Sequence, residues 1–119
     1  MGLDLHSLEN YTLEPNKRKI FSIGFALEFP EGYAAIVHDK SSLPKNHGVH
    51  TMGGVFDASY RGEYNVQLVN LGAEPVNIEK GQKIAQLVIF PVTVAELREV
   101  EALSETSRGA GNFGSTGKF

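Results

Sequence analysis

The sequence predicts an all-β domain, and three of its features carry that prediction. Short apolar or alternating runs recur along the chain at intervals of about ten residues. Clusters of proline, glycine, asparagine and acidic residues separate these runs and are typical of turns. Only one stretch, residues 94–103, is compatible with a helix. Many short strands with regular turns are typical of a sandwich, a jelly roll or a barrel.

Seven segments are predicted to be strands on these grounds. They are residues 11–13, 19–23, 25–29, 33–37, 64–69, 76–78 and 83–90. The last of them is the most apolar, and Pro91 closes it because proline cannot donate to a strand ladder. Residues 94–103 are assigned to a further strand rather than to a helix, because the β-branched run at 92–94 leads into them.

Length and composition indicate one domain with a tail. At 119 residues and 13.0 kDa the chain can bury one modest core, and residues 1–103 are predicted to form it. Residues 104–119 contain four glycines, and their only large apolar side chains are two phenylalanines. A segment of this composition cannot form a core of its own, so it is predicted to be a mobile arm. The residues alone are compatible with a disordered tail or with an arm that closes over a ligand.

The composition also excludes several classes of function. No apolar run approaches the roughly 20 residues that a membrane span needs. The chain has no cysteine, which excludes disulfides and thiolate chemistry. Its first residues lack the features of a signal peptide, so we expect a cytoplasmic setting, with a nuclear or viral one left open. A net charge of -3 and a pI near 5.8 argue against a long nucleic acid as partner.

Residues 54–63, GVFDASYRGE, form the strongest candidate for chemistry. The stretch holds an acid (Asp57), an aromatic hydroxyl (Tyr60) and a cation (Arg61) directly before an alternating strand pattern. The glycines at 53 and 54 permit close approach of the backbone to a ligand. Asp57 is equally compatible with a turn residue and Tyr60 with a core residue, so the residues alone leave both interpretations open.

Three weaker patterns lie elsewhere in the chain. Residues 39–43, Asp-Lys-Ser-Ser-Leu, place a cation beside two hydroxyls, which suits a phosphate contact and equally a solvated turn. His47 and His50 are interpreted as surface histidines, because no cysteine or carboxylate pair completes a zinc ligand set near them. Residues 109–114 match G-x-G-x-x-G, but that fingerprint needs a preceding strand, a following helix and an acid about twenty residues on, so we do not expect a dinucleotide fold.

Taken together, five separated motifs resemble those of the trimeric dUTP pyrophosphatase (dUTPase) family, in the order of that family and across the whole chain. Five ordered motifs are far more specific than any single one. They are Gly2-Leu3-Asp4-Leu5, Lys40-Ser41-Ser42-Leu43, the stretch 54–63, residues 81–87 (GQKIAQL) and residues 108–117 (RGAGNFGSTG).

The resemblance implies a fold, a reaction, a cofactor and an assembly. The fold is a distorted jelly-roll β-barrel with a flexible, glycine-rich C-terminal arm. The reaction is hydrolysis of dUTP to dUMP and pyrophosphate with Mg²⁺ as cofactor. The assembly is a homotrimer in which the arm of one subunit closes the active site of another.

The resemblance also implies roles for individual residues. Asp57 would activate the attacking water, Asp4 would hold water around the magnesium as an outer-shell partner, and Tyr60 would lie under the sugar. The backbone of Gly54, Val55 and Phe56 would form the uracil pocket. The remaining substrate contacts would come from Lys40, Ser41, Ser42, Gln86, Arg108, Phe113, Gly114 and Ser115.

Two positions depart from the pattern of the family. Lys40 replaces the usual arginine, which keeps the charge and loses the rigid bidentate fork of a guanidinium group. Asn112 stands where the arm usually has glycine, and a left-handed backbone at Asn112 would accommodate it.

Two other functions are compatible with the same fold. A dCTP deaminase of this type has a catalytic glutamate in the strand after the third motif, at the position of Gln67, and glutamine cannot serve as that base. A non-catalytic nucleotide-binding module would be indicated by loss of Asp57 or of the arm, and both are present.

Overall fold

The computed structural model describes residues 2–119, which contain nine strands and one short helix. No helix within this range is long and apolar enough to cross a membrane. In chain order the elements are β1 (Leu3–His6), β2 (Tyr11–Leu13), β3 (Arg18–Ser22), β4 (Tyr33–Asp39), α1 (Ser42–His47), β5 (Val49–Met52), β6 (Val55–Asp57), β7 (Asn65–Asn70), β8 (Val76–Ile78) and β9 (Lys83–Pro91).

The strands form three sheets in which every described pairing is antiparallel. A four-stranded sheet has the order β1-β9-β4-β6, a three-stranded sheet has the order β3-β7-β5, and β2 pairs with β8. The all-β class that the sequence predicts is therefore confirmed. The chain passes from the four-stranded to the three-stranded sheet through α1, between β4 and β5.

The core lies between these sheets and consists of the inward-facing side chains of nearly every strand. The side chains buried without measurable exposure include Leu5, Phe21, Val49, Tyr64 and Val66. Burial alternates along β7, where positions 66, 68 and 70 are buried and positions 65, 67 and 69 are half-buried. This period of two is the pattern of a strand with one face on the core.

Asn70 is the one strongly polar amide in this core, and its hydrogen-bonding groups are satisfied. Its Nδ2 donates to the carbonyl oxygens of Leu13 at 2.9 Å and Glu74 at 2.8 Å, and its Oδ1 accepts from the Gly72 N–H at 2.9 Å. These bonds hold the end of β7 against the end of β2. A buried amide that lost them would incur the full cost of desolvation.

Residues 25–29 were predicted to be a strand, and that prediction is wrong. Phe25, Leu27 and Phe29 do alternate with exposed residues and pack against the core. Their backbone, however, joins no ladder, and the bond from the Tyr64 N–H to the Phe25 carbonyl, 2.9 Å long, is its main-chain link to β7. The segment buries side chains as a strand does, without the paired neighbour that defines a strand.

The predicted strand at residues 94–103 is also wrong, since no helix or strand follows β9 in the described chain. Val94, Leu97 and Leu103 are each more than four-fifths exposed. The radius of gyration is 18.8 Å, against about 13–14 Å for a compact chain of this length. Residues 92–119 therefore extend from the body of the molecule, where no neighbouring strand is available to pair with them.

Four elements were not predicted, namely β1, α1, β5 and β6, and all of them are short. Helix α1 has six residues and ends at Gly48, which has φ +69° and donates its N–H to the Pro44 carbonyl. A left-handed glycine is a common helix end. A single buried leucine, Leu43, anchors the helix, and this is too little to produce a readable period. The other predicted strands are confirmed within two residues at each end.

The Tyr64 hydroxyl makes the core imperfect. It is buried and has no hydrogen-bond partner among the described residues, and burial raises the pKa of this phenol. The ring itself stacks on Phe56 at 4.2 Å with an interplanar angle of 12°. The apolar contacts of the ring thus stabilise the fold. The hydroxyl, in contrast, has lost its hydrogen bonds to water and has gained none within the protein.

We expect Tyr64→Phe to raise the free energy of unfolding by about 1 kcal/mol, because the substitution removes an unpartnered polar group and keeps the ring. The measurement is urea unfolding at one fixed protein concentration, with an unchanged slope on denaturant. Tyr60→Phe is the matched control, since the Tyr60 hydroxyl does have a partner, and it should not stabilise the protein. A loss of stability in Tyr64→Phe would contradict this account of the core.

Candidate active site

The loop predicted from the sequence begins at two glycines. Their backbone conformations explain why glycine is found at both positions. Gly53 and Gly54 have φ values of +59° and +93°. A Cβ on Gly54 would lie 2.9 Å from the Val37 Cβ, closer than two carbon atoms can pack. The Gly54 carbonyl accepts the Val37 N–H at 2.9 Å. Only glycine allows β6 to start this close to β4.

Strand β6 forms the outer edge of the four-stranded sheet. It pairs with β4 through Val55 opposite Ile36 and Asp57 opposite Ala34. Because β6 is the last strand in the order, its second edge is not paired with any described strand. Free backbone N–H and C=O groups at such an edge are available to a ligand.

Asp57 ends β6 with its side chain exposed, and it makes no hydrogen bond or ion pair within the described chain. It lines an open groove of about 250 Å³ together with Tyr33, Ser59 and Val92. A carboxylate with this access can accept a proton from a water molecule.

Tyr60 is fixed by the turn that follows Asp57. Its N–H donates to the Asp57 carbonyl at 3.1 Å, and its hydroxyl donates to the Glu63 carbonyl at 3.0 Å. Its ring centre lies 5.4 Å from that of Phe56. Arg61 closes the same turn by donating to the Ala58 carbonyl at 2.6 Å. This cation is therefore engaged in holding the loop.

At the other end of the sheet, Asp4 on β1 is held between two lysines. Lys40 Nζ lies 2.7 Å from Asp4 Oδ1, and Lys83 Nζ lies 3.0 Å from Oδ2. Hydrogen bonds from Lys40 first and Lys83 second lower the pKa of Asp4 to about 2, so this carboxylate is anionic at neutral pH. Lys83 was not among the predicted site residues.

Gln86 lies beside this charged cluster, as the register of the sheet requires. It is opposite Asp4 on β1 and opposite His38 on β4. Its Nε2 donates to the Asp39 carbonyl at 2.9 Å. Gln86, His38 and Asp39 line an open groove of about 530 Å³ with Val88 and Phe90.

The two predicted serines lie where β4 gives way to α1. Ser41 occupies the N-cap position with helical backbone angles, and its side chain makes no capping hydrogen bond. Ser42 is the first helical residue, and both side chains are exposed. Their hydroxyls are therefore available for an external acceptor, next to the Lys40 ammonium group.

Sequence reasoning missed the groups that hold this segment. Asp39 Oδ1 accepts the Thr51 N–H at 2.8 Å, and Asp39 Oδ2 lies 2.6 Å from His50 Nδ1. His50 is an exposed residue, as the sequence predicted, but its contact with Asp39 was not predicted. A contact between residues eleven apart on different sheets leaves no local pattern in the sequence.

The structure separates the predicted residues into two groups. Asp57 is opposite Ala34 on β4, whereas Gln86 is opposite His38 on the same strand. Four residues of β4 correspond to about 13 Å at 3.3 Å per residue. Asp4, Lys40 and Gln86 thus cluster at one end of the sheet, and Asp57 and Tyr60 lie at the other.

The arm residues join neither group. Arg108 Nε donates to the Gly111 carbonyl at 2.8 Å, and the Ser115 N–H donates to the Asn112 carbonyl at 3.1 Å, both within the arm. Phe113 is fully exposed and has φ +35°, while Gly114 has φ +91°. The left-handed backbone expected at Asn112 is therefore found at its two successors, and the Asn112 side chain accepts the Phe113 N–H instead.

No described residues form a group of three or more His, Cys, Asp or Glu side chains that could enclose a metal ion. Asp4 is a single carboxylate with a lysine on each oxygen. A carboxylate has about four lone-pair positions, so two remain for other donors. Asp4 can thus accept a hydrogen bond from water around an ion, and the described residues form no set of carboxylate and histidine side chains that encloses one.

The sequence and the fold were compared with known proteins. Deoxyuridine 5'-triphosphate nucleotidohydrolases from Nautilia profundicola and an Anaeromyxobacter species are 46% and 49% identical over 119 residues. Each alignment covers 98% of this chain and, respectively, 84% and 81% of the relative.

Solved structures agree with these relatives. A mutant dUTPase of Staphylococcus bacteriophage 80alpha, solved with dUpNHpp, superposes with a TM-score of 0.86 at 29% identity, covering 98% of this chain and 86% of that one. A mutant dUTPase from phage phi11 of S. aureus, described for its coordination of a structural Mg(II) ion, gives 0.80 at 25% identity over 87% and 85% of the two chains.

These likenesses confirm the predicted jelly-roll barrel of the dUTPase type. The dUTPase family model matches residues 1–117, which is nearly the whole sequence. The family model and the two relatives both confirm the predicted family, and the chain belongs to the dUTPase family of nucleotide-hydrolysing enzymes.

Proposed function

We propose that this protein hydrolyses dUTP to dUMP and pyrophosphate, with Asp57 activating the water that attacks the α-phosphorus. The observation that carries the proposal is the loop 54–63 of a dUTPase-family chain. In that loop the Asp57 carboxylate is exposed and has no partner within the described chain, and Tyr60 is fixed three residues away.

Asp57 is the general base in this proposal. A base must reach the attacking water by a hydrogen bond and must be unprotonated when the reaction starts. The Asp57 carboxylate makes no ion pair or hydrogen bond in the described chain that would have to break first. No covalent intermediate is required, because the water itself attacks phosphorus and pyrophosphate leaves.

The free edge of β6 is the proposed reader of uracil. Strand β6 presents backbone donors and acceptors along an edge that no described strand covers, and it follows Gly54, whose carbonyl is already bound to the Val37 N–H. Hydrogen bonds from a backbone edge suit the polar edge of a base, and a closely fitting backbone excludes the methyl group of thymine. Phe113 of an arm would cover the other face of the ring.

Tyr60 is the proposed sugar contact. Its hydroxyl is bound to the Glu63 carbonyl and its ring packs near Phe56, so the ring is held on two sides. A fixed aromatic face beneath deoxyribose leaves no room for a 2′-hydroxyl group. Discrimination against UTP would then be steric, without a dedicated polar contact.

The phosphate chain is assigned to the other group of residues and to the arm. Lys40, Ser41 and Ser42 offer a cation and two hydroxyls at one place, and Gln86 lies beside them. Donors at these positions stabilise the negative charge that builds on the leaving pyrophosphate. The arm would add Arg108, Gly114 and Ser115.

Lys40 provides charge without the two-pronged geometry of arginine. Its ammonium group is bound to Asp4 at 2.7 Å, so a phosphate would share that cation with a carboxylate. Mg²⁺, when bound with the substrate, supplies positive charge that offsets the triphosphate. Asp4 would accept a hydrogen bond from water around the ion, for which its anionic state and its remaining lone pairs are suited.

We further propose a homotrimer with shared active sites. Asp57 and Gln86 are separated by about 13 Å along one sheet, too far for one phosphate group to touch both. Residues 94–103 expose four large apolar side chains in the single chain, those of Val94, Leu97, Val100 and Leu103. Association would bring the two groups of site residues from different chains together and would cover this apolar segment.

Two other functions remain to be distinguished from this one. In a deaminase of this fold Gln67 would be the catalytic base, yet this side chain is an amide and lies on β7 opposite Ile20 and Met52, on another sheet from Asp57. A non-catalytic nucleotide-binding module would bind dUTP without turnover.

An assay of four nucleotides separates these functions. With Mg²⁺ present, we expect pyrophosphate from dUTP, at least about 100-fold faster than from dCTP, dTTP or UTP, and no ammonia. Ammonia from dCTP would support the deaminase, and binding of dUTP without any product would support the module. Either result would contradict the proposed reaction.

The matched control in this assay is Asp57→Asn. It keeps the size and hydrogen-bonding capacity of the side chain and removes the base. We expect dUTP binding within about twofold of the original protein and a kcat lower by about 100-fold or more. Near-normal turnover would remove Asp57 from the role of base.

The arm is tested by ending the chain after Ser107. Because residues 108–119 make their hydrogen bonds within the arm and lie outside the core, we expect unchanged secondary structure and assembly. Loss of the arm's donors should lower kcat/KM for dUTP by about 100-fold. The measurements are circular dichroism, light scattering and pyrophosphate release, and unchanged kinetics would show that the arm takes no part in the reaction.

A further inference from the structure

Asp39 lies immediately before Lys40 and Ser41 and is bound more firmly than either of them. Its carboxylate has a partner on each oxygen, the Thr51 N–H at 2.8 Å and His50 Nδ1 at 2.6 Å. Its main-chain carbonyl accepts from Gln86 Nε2 at 2.9 Å. One residue therefore makes three polar contacts with two other strands.

These contacts connect the two main sheets. Asp39 ends β4 in the four-stranded sheet, whereas His50 and Thr51 belong to β5 in the three-stranded sheet. The chain between them contains the exposed serines and α1, a helix with a single buried residue. Without the Asp39 carboxylate, residues 40–42 would depend for their position on that one apolar contact, on the Lys40–Asp4 ion pair and on main-chain hydrogen bonds to their own helix.

The same carbonyl also orients Gln86. An amide side chain rotates freely unless one end is bound, and the bond to Asp39 fixes Nε2. The positions of Lys40, Ser41 and Gln86 therefore all depend on the main chain of Asp39. Lys40 and Ser41 follow it directly in the sequence, and Gln86 is hydrogen-bonded to it. Donors that are already fixed lose less conformational entropy when they bind a charged ligand than mobile donors do.

We propose that Asp39 is a positioning residue for the triphosphate, acting through its contacts with Thr51 and His50 on the placement of Lys40, Ser41 and Gln86. The inference rests on the proposed function and adds to it the residue that sets its phosphate-binding geometry. Asp39 itself does not touch the substrate in this account, because its carboxylate lies against β5 and offers no hydrogen-bond donor to a phosphate.

The role predicts that Asp39 affects phosphate recognition and not base or sugar recognition. Uracil and deoxyribose are assigned to the loop 54–63, about 13 Å away along the sheet. A purely structural residue would weaken all ligands together as the fold loosens. A ligand without phosphates is therefore the discriminating comparison.

The experiment measures binding of dUpNHpp and of deoxyuridine to the full-length protein and to Asp39→Ala, Asp39→Asn and His50→Ala, with melting temperatures and dUTP turnover recorded for each. Asp39→Ala should weaken dUpNHpp by about tenfold and deoxyuridine by less than twofold. Asp39→Asn, which can still accept the Thr51 N–H and donate to His50, should restore dUpNHpp binding to within about threefold. His50→Ala removes one of the two partners of the Asp39 carboxylate. It should also weaken dUpNHpp more than deoxyuridine, but by a smaller factor than Asp39→Ala does.

Three results overturn the inference. They are unchanged dUpNHpp binding in Asp39→Ala, equal weakening of both ligands, and an Asp39→Asn variant as weak as Asp39→Ala, which would assign the effect to charge. If Asp39→Ala does not fold, His50→Ala decides between the same outcomes. Turnover of dUTP by the original protein tests the proposed function separately, since it can be normal while Asp39→Ala has no selective effect.

Discussion

Strand β4 is hydrogen-bonded along both of its edges, to β9 on one side and to β6 on the other, and the position of every candidate site residue on this sheet follows from that double pairing. Slipping either neighbour by one residue would turn its inward side chains outward, so burial fixes the register strongly. Asp57 is thereby held at the Ala34 end of β4, and Gln86 at the His38 end. Residues with one proposed purpose are therefore held apart by the register of this sheet.

A second constraint acts at the close approach of Gly54 to Val37. A side chain at position 54 would overlap Val37, so the residue directly before the strand that carries Asp57 must be glycine. The same strand is the outer edge of its sheet, and its unpaired backbone groups face outward. Tight packing on one edge and free hydrogen-bonding groups on the other are what a backbone-reading base pocket needs.

The strands with apolar alternation could be predicted from the sequence, because their side chains face one core at a period of two. The Phe25, Leu27 and Phe29 segment shows the limit of that signal, since burial alternates there without any ladder. Helix α1, β5 and β6 are too short to carry a period. The five motifs gave the family, but Lys83, Asp39 and His50 act through contacts between distant strands, which no local pattern reveals.

The structure of the single chain does not define where the arm would lie relative to the candidate site residues. Its hydrogen bonds close on themselves, and its Phe113 ring is fully exposed. A segment with exposed Val94, Leu97 and Leu103 would be costly in water, roughly 1.5–3 kcal/mol for each side chain left unburied. Association of chains would remove that cost and would at the same time bring the separated site residues together, which is why we regard the shared site as the central claim.

That claim is tested most directly by co-expressing two inactive chains, Asp57→Asn and Gln86→Ala, under different affinity tags and purifying the mixed assembly. If each site takes Asp57 from one chain and Gln86 from its neighbour, every mixed trimer keeps one of its three sites intact, which is about a third of the sites. We predict pyrophosphate release from dUTP at about that fraction of the original rate. A mixed assembly no more active than the two variants measured separately would show that each site lies within one chain, and would contradict the account.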